Sequence, residues 1–229
     1  MQAAGFGDLA KGAVPAIVLR LREAAIPIRR VVDAGCGAGP LSRALTEAGF
    51  EVTGIDTSLE LLDFARRTAP GARFVHGSIH EVELPRCEAI VALGEPLTYY
   101  GADVDAMLRL RDFFRRASAV LPAGGLLIFD IIEKGQPSLS ARTWKAGEDW
   151  AVLVETCENQ ANDSLVRQIH TFRRIGDSYR RGCEAHHVKI FDTGVICDAL
   201  IPWFRFGTDV CYGPHPLAPR RRAFFATKI

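Results

Sequence analysis

Asp33-Ala34-Gly35-Cys36-Gly37-Ala38-Gly39 stands between an apolar run at 31–33 and a helix-periodic segment at 40–48. Three glycines at alternate positions remove the Cβ atoms that would hold a ligand or a second backbone segment at a distance. A strand that enters a helix through such a turn is the opening βα unit of a parallel sheet. This confines the chain to α/β folds whose ligands lie beyond the carboxyl ends of the strands.

The sequence that follows has the same character, since residues 31–132 alternate short β-branched runs with longer helix-periodic segments. Strands are expected at 31–33, 51–55, 73–76 and 89–93. Between them lie a helix stopped by Gly49 and a second one capped by Ser58 and ended by Pro70-Gly71. Ala106, Leu110, Phe113, Phe114, Ala117 and Leu121 then repeat at helical spacing, with Asp103 as the expected N-cap. Pro122-Ala123-Gly124-Gly125 breaks that helix, and 126–132 reads as a strand buried on both faces.

Beyond about residue 140 the period falls to two, as Leu165, Arg167, Ile169 and Thr171 alternate with Val166, Gln168, His170 and Phe172. Turn signals at Asn162-Asp163 and Gly176-Asp177 predict three antiparallel strands near 150–157, 165–174 and 178–190. A helix begun by Asp192 and two strands around 205–211 and 222–228 close the chain. The expected organisation is an N-terminal helix and α/β core over 1–139, a β insertion acting as a substrate lid over 140–190, and the end of the core over 191–229.

Asp56 ends the second predicted strand 23 residues after Asp33, which sets a carboxylate beside the glycine turn, where it can accept both hydroxyls of a ribose. A dinucleotide fingerprint G-x-G-x-x-G requires glycine at position 40, and the sequence has Pro40. A pyrophosphate would sit on the first helix N-terminus, whereas Asp33 suits an ammonium group. The turn therefore favours a nucleoside with a cationic amino-acid tail over a diphosphate.

V-V-D-A-G-C-G-A-G, then G-I-D-T-S-L-E-L-L, then L-P-A-G-G before an apolar strand resemble the class I S-adenosylmethionine-dependent methyltransferases, strongly over residues 30–132. The antiparallel insertion and the closing R-R-A-F-F-A run look like the small-molecule members of that group. The resemblance implies a Rossmann-like seven-stranded sheet with helices on both faces, its last strand antiparallel and the β insertion after the fifth strand. It further implies that Gly35, Gly37 and Gly39, with Cys36 among them, line the methionine portion, while Asp56 holds the ribose and Thr57 lies against the adenine. The family often has an acid after the glycine that follows the third strand. Here Gly77 is followed by Ser78, which can accept one bond from the adenine amino group, and by Ile79, which would flank the ring. Leu93 and Gly94 would face the sulfonium.

Methyl transfer is an in-line displacement in which alignment supplies much of the acceleration, so no universal catalytic residue is expected. Glu95, Tyr99 and Tyr100 follow the fourth strand, where each can orient an acceptor. In the insertion, Glu184 and His186 share one strand face and His187 takes the other, so a single histidine is expected to face the cleft. The E-x-H-x-V-K-I-F run resembles one that recurs in small-molecule methyltransferases and aligns His186. A histidine beside a carboxylate is suited to removing a proton from the acceptor. The catalytic candidates are thus His186, Tyr99 and Glu184. His76 and His80 lack partners at metal-ligand spacing, so they read as structural and no metal is expected.

With 28 basic and 27 acidic residues there is no global field to draw the chain onto nucleic acid or anionic lipid. The arginine clusters 115–116, 173–174, 180–181 and 220–222 read as solvated faces or ion pairs. Six dispersed cysteines, without a leader-like start or a membrane-length apolar stretch, place the expected location in the cytoplasm. Transfer of a methyl group from S-adenosylmethionine to a small molecule is the leading expectation. The alternatives are a non-catalytic S-adenosylmethionine or nucleoside-binding module and, less well supported because of Pro40, an NAD-dependent oxidoreductase.

Overall fold

The computed structural model describes residues 3–100 and 105–229. Helix α1 (Ala3–Arg22) precedes β1 (Arg30–Ala34), α2 (Pro40–Glu47), β2 (Glu51–Asp56), α3 (Leu59–Thr68), β3 (Arg73–His76) and β4 (Ala89–Ala92). A 3-10 turn (Pro96–Thr98), α4 (Ala106–Val120) and β5 (Leu126–Ile132) complete the first half. Four strands follow, β6 (Ala141–Ala146), β7 (Trp150–Asn159), β8 (Ser164–Ile175) and β9 (Ser178–Lys189). The chain closes with α5 (Thr193–Leu200), β10 (Phe204–Asp209), β11 (Cys211–Tyr212), β12 (His215–Pro216) and β13 (Arg221–Lys228).

The large sheet runs β10-β13-β5-β4-β1-β2-β3. Strands β1 to β5 pair in parallel, and β13 lies antiparallel to β5. Because β1 pairs with both β2 and β4, the strand order reverses there, and a crevice opens beyond the carboxyl ends of β1 and β4. One face of the sheet packs Val31, Val52, Val91 and Ile128 under Ile17 and Leu21 of α1 and Leu41 and Leu45 of α2. The other packs Val32, Ile90, Leu127 and Phe129 under Leu110, Phe113 and Phe114 of α4 and Ile196 and Leu200 of α5. All seven residues of β5 are buried, as its unbroken apolar run requires, and Asp130 is buried with them.

Local signals account for most boundaries. Gly39 caps α2 in a left-handed conformation with Pro40 behind it, the Ser58 hydroxyl accepts from Leu61 N, and the Asp192 carboxylate accepts from Gly194 N. Helix α4 begins at Ala106, the first of its periodic apolar positions, with the Asp105 carboxylate accepting from Met107 N and Leu108 N. The expected cap, Asp103, lies outside the described residues.

The insertion forms a separate four-stranded antiparallel sheet, β6-β7-β8-β9, rather than three strands. Strand β6 escaped the sequence reading because A-R-T-W-K-A is an exposed edge with no buried face to impose alternation. This sheet docks on the core through Leu165, Val188 and Ile190 against Ile132. An unexpected hairpin, β11–β12, lies beside α1, with Tyr212 fully buried.

Candidate active site

A cleft of about 630 Å³ lies beyond the carboxyl ends of the central strands. Its floor is the glycine turn, where Gly35 and Gly37 have φ of 77° and 54°. A Cβ on Gly35 would stand 2.4 Å from the Pro96 side chain, so the loop after β4 rests directly on this turn. A Cβ on Gly37 would meet nothing of the protein within 4 Å and would project into open space. Gly39, expected to line the cleft, does not. Its left-handed backbone turns the chain into α2, and a Cβ there would stand 3.1 Å from Ala65 on α3, so the glycine lets the two helices pack closely.

Asp33 is buried, with the Ser42 hydroxyl donating to it at 2.6 Å. Burial, reinforced by the nearby Asp56 charge, pushes its carboxyl up to about 7 despite that bond. Asp56 ends β2 with both carboxylate oxygens engaged, accepting from Gly37 N at 2.8 Å and from Ser58 N at 2.9 Å. The bond to Gly37 ties the end of β2 to the glycine turn, and each oxygen keeps a lone pair for a ligand. Cys36, Thr57, Ser78, Ile79, Leu93 and Gly94 also line the cleft. A glycine floor, two carboxylates and the apolar Ile79 and Leu93 form a cradle within this cleft.

The insertion closes the other side, since Glu184 to His187 of β9 line the same cleft as the glycine turn. His186 Nε2 lies 3.3 Å from Glu184 Oε2, and the Tyr99 ring stands edge-on to the imidazole at 5.6 Å between centroids. Tyr99 is joined to β9 by a bridge to Val188. Burial pushes its hydroxyl above the usual phenol range, so it remains neutral and acts as donor or acceptor rather than as a base.

Two expectations are corrected here. His187 also lines the cleft, with Tyr100 edge-on to it. Strand β9 is a sheet edge crossing the cleft mouth, so both of its faces flank the opening and parity no longer selects one histidine. Glu95, expected to orient an acceptor, is wholly buried in a left-handed conformation and pairs with Arg167 at 2.5 Å and with Arg221.

Arg167 carries no signal of this role in the sequence, and Arg221 is ion-paired, one of the two readings of the 220–222 cluster, but inside the core. Arg221 also binds Asp130 at 2.9 Å, and Asp130 accepts from Gly94 N at 2.8 Å and from the Tyr212 hydroxyl at 3.2 Å. The available signal was an acid inside the unbroken apolar strand 126–132, which demands a buried cation. The neighbouring arginines of the 220–222 cluster are ion-paired as well, Arg220 with Glu158 and Arg222 with Glu133. His80 lines the cleft edge-on to Phe113, and burial with the charges of Arg109 and Arg116 pushes it down to about 4, which keeps it neutral.

A methyltransferase-domain family profile matches residues 31–125, the stretch that builds this cradle. The putative methyltransferase YqeM of Bacillus subtilis (strain 168) is 28% identical over 178 residues, covering 74% of this chain and 70% of that protein. The match over the cleft-building strands, this relative and the fold support a class I S-adenosylmethionine-dependent methyltransferase. In fold, the chain is similar to an S-adenosylmethionine-dependent methyltransferase from Clostridium acetobutylicum ATCC 824, with a TM-score of 0.80, 19% identity and 96% and 92% of the two chains covered. It is also similar to the sugar N-methyltransferase KedS8 from Streptoalloteichus sp. ATCC 53650, with a TM-score of 0.79, 19% identity and 98% and 90% covered. A malonyl-[acyl-carrier protein] O-methyltransferase of Serratia marcescens is 28% identical over 52% of this chain, and the match spans 44% of that protein's length.

Proposed function

We propose that this methyltransferase modifies a small molecule held between the glycine turn and the inserted sheet. The observation that carries the reading is that one cleft is lined both by the turn residues Gly35 to Ala38 and by Glu184 to His187 of β9. A cover of this kind encloses a modest ligand, whereas a polymer substrate needs an open or charged approach.

S-adenosylmethionine, when bound, supplies an electrophilic methyl group on a sulfonium. In this reading Asp33 holds the ammonium of its methionine tail, Gly35, Cys36 and Gly37 line that tail, and Asp56 accepts from the ribose hydroxyls. Thr57, Ser78 and Ile79 surround the adenine, and Leu93 and Gly94 leave room beside the reacting carbon. Arg167 donates to the Tyr99 hydroxyl at 3.3 Å, which leaves the phenolic proton for an acceptor atom. Glu184 holds His186 through Nε2, which leaves Nδ1 to take the proton that the acceptor would give up on methylation.

The test is incubation of metabolite extracts with methyl-labelled cofactor, followed by separation of labelled small products. Label appearing only in protein or nucleic acid refutes the small-molecule reading. Absence of any label despite measured binding of S-adenosylhomocysteine refutes catalysis and leaves a binding module.

A further inference from the structure

The segment after β4 is held from three directions. Below, Pro96 packs on Gly35 so closely that a Cβ there would clash. Behind, Gly94 N is bound by Asp130, and Asp130 is neutralised by Arg221 from β13. Above, Glu95 and Tyr99 are both engaged by Arg167, which comes from β8 of the inserted sheet and is itself largely buried. Glu95 occupies a left-handed conformation, with φ of 60°, that costs a non-glycine residue on the order of 1–3 kcal/mol unless its surroundings enforce it. The two ion pairs of Glu95 enforce it here.

Two arginines and two acids make this buried cluster neutral, so a single uncharged replacement strands a charge in the core. The network also joins the two parts of the cleft. A shift of the inserted sheet at Arg167 moves Glu95, and through Pro96 it reaches the floor of the cofactor cradle.

We propose that Arg167 is a positioning residue for methyl transfer, which latches the inserted sheet to residues 94–99 after β4 so that the acceptor side and the cofactor turn are held in one register. The proposal rests on the cofactor reading above, and its test separates the two. Arg167 touches neither reacting group; it acts through Glu95 and Tyr99.

The experiment is hydrogen exchange on the intact chain with and without S-adenosylhomocysteine, comparing the parent with Arg167→Met and with the charge-balanced double variant Glu95→Gln/Arg167→Met. In the parent, S-adenosylhomocysteine should slow exchange at least fivefold both in residues 94–100 and in residues 184–188 of β9. In both variants it should still protect the glycine turn, with its dissociation constant within about threefold of the parent's, while protection of 184–188 disappears. Arg167→Lys, which keeps the charge, should restore part of that protection, and Arg142→Met at the exposed β6 edge should behave as the parent. Equal protection of 184–188 in parent and variants overturns the proposal. Failure of the parent to bind S-adenosylhomocysteine at all overturns the cofactor reading instead. If Arg167→Met does not fold, the double variant decides, because it leaves Arg221 paired with Asp130 and no charge stranded.

Discussion

Replacing Asp56 by alanine removes a carboxylate whose two oxygens already hold Gly37 N at 2.8 Å and Ser58 N at 2.9 Å. The proposed role adds two bonds from the ribose hydroxyls on the remaining lone pairs. Bonds to an ionised acceptor contribute about 1.5–3 kcal/mol each, and water re-entering the smaller site returns part of that, so the expected net loss is about 2–4 kcal/mol. At about 1.4 kcal/mol per decade, this weakens the dissociation constant for S-adenosylhomocysteine roughly 30- to 700-fold. Titration calorimetry measures it directly. Asp56→Asn separates the two duties, because the amide oxygen can keep one backbone donor while the charge is lost, and it should fall between parent and Asp56→Ala. A folded Asp56→Ala protein with parental affinity would remove the residue from the site and refute the argument.

Gly37→Val should abolish S-adenosylhomocysteine binding while leaving circular dichroism close to the parent's, since its Cβ enters ligand space and meets no protein atom. The φ of 54° adds about 1–2 kcal/mol of backbone strain, read as a lower melting temperature, and parental affinity would show the turn to be only structural. His186→Ala should lower turnover of an identified acceptor roughly 10²- to 10⁴-fold with little change in cofactor affinity. His187→Ala, against Tyr100, should be milder, and equal losses in both would indicate damage to β9 rather than a lost base. Asp33 gives a pH signature. Its buried carboxyl titrates at about 7 in the folded chain, against about 3.9 when unfolded, so the folded form binds more protons in between and stability falls as pH rises through that window. Ionised Asp33 attracts the ligand ammonium, so S-adenosylhomocysteine affinity should rise from about pH 6 to about pH 8 and be nearly flat in Asp33→Asn. The same slope in the variant would assign the effect to another group.

The parallel core was legible in the sequence because its signals are local. Unbroken apolar runs, a glycine turn with positive φ and capping residues such as Ser58 and Asp192 each act within a few residues. That Asp33, Gly35, Gly37 and Asp56 share one cleft was legible for the same reason, since they lie at or just beyond the ends of two adjacent strands. Gly39 misled because positive φ serves a helix start as readily as a ligand. The acceptor side could not be read by parity. Which faces of β9 meet the cleft depends on where the inserted sheet docks, and that is set by Leu165, Val188 and Ile190 packing on Ile132 across long sequence separations. The tertiary structure alone also turned Glu95 from a candidate for orienting an acceptor into the centre of a buried ion cluster. Its partners come from β8 and β13, Arg167 and Arg221, some 70 and 130 residues away, and burial of charge is a property of the assembled core that no local pattern encodes.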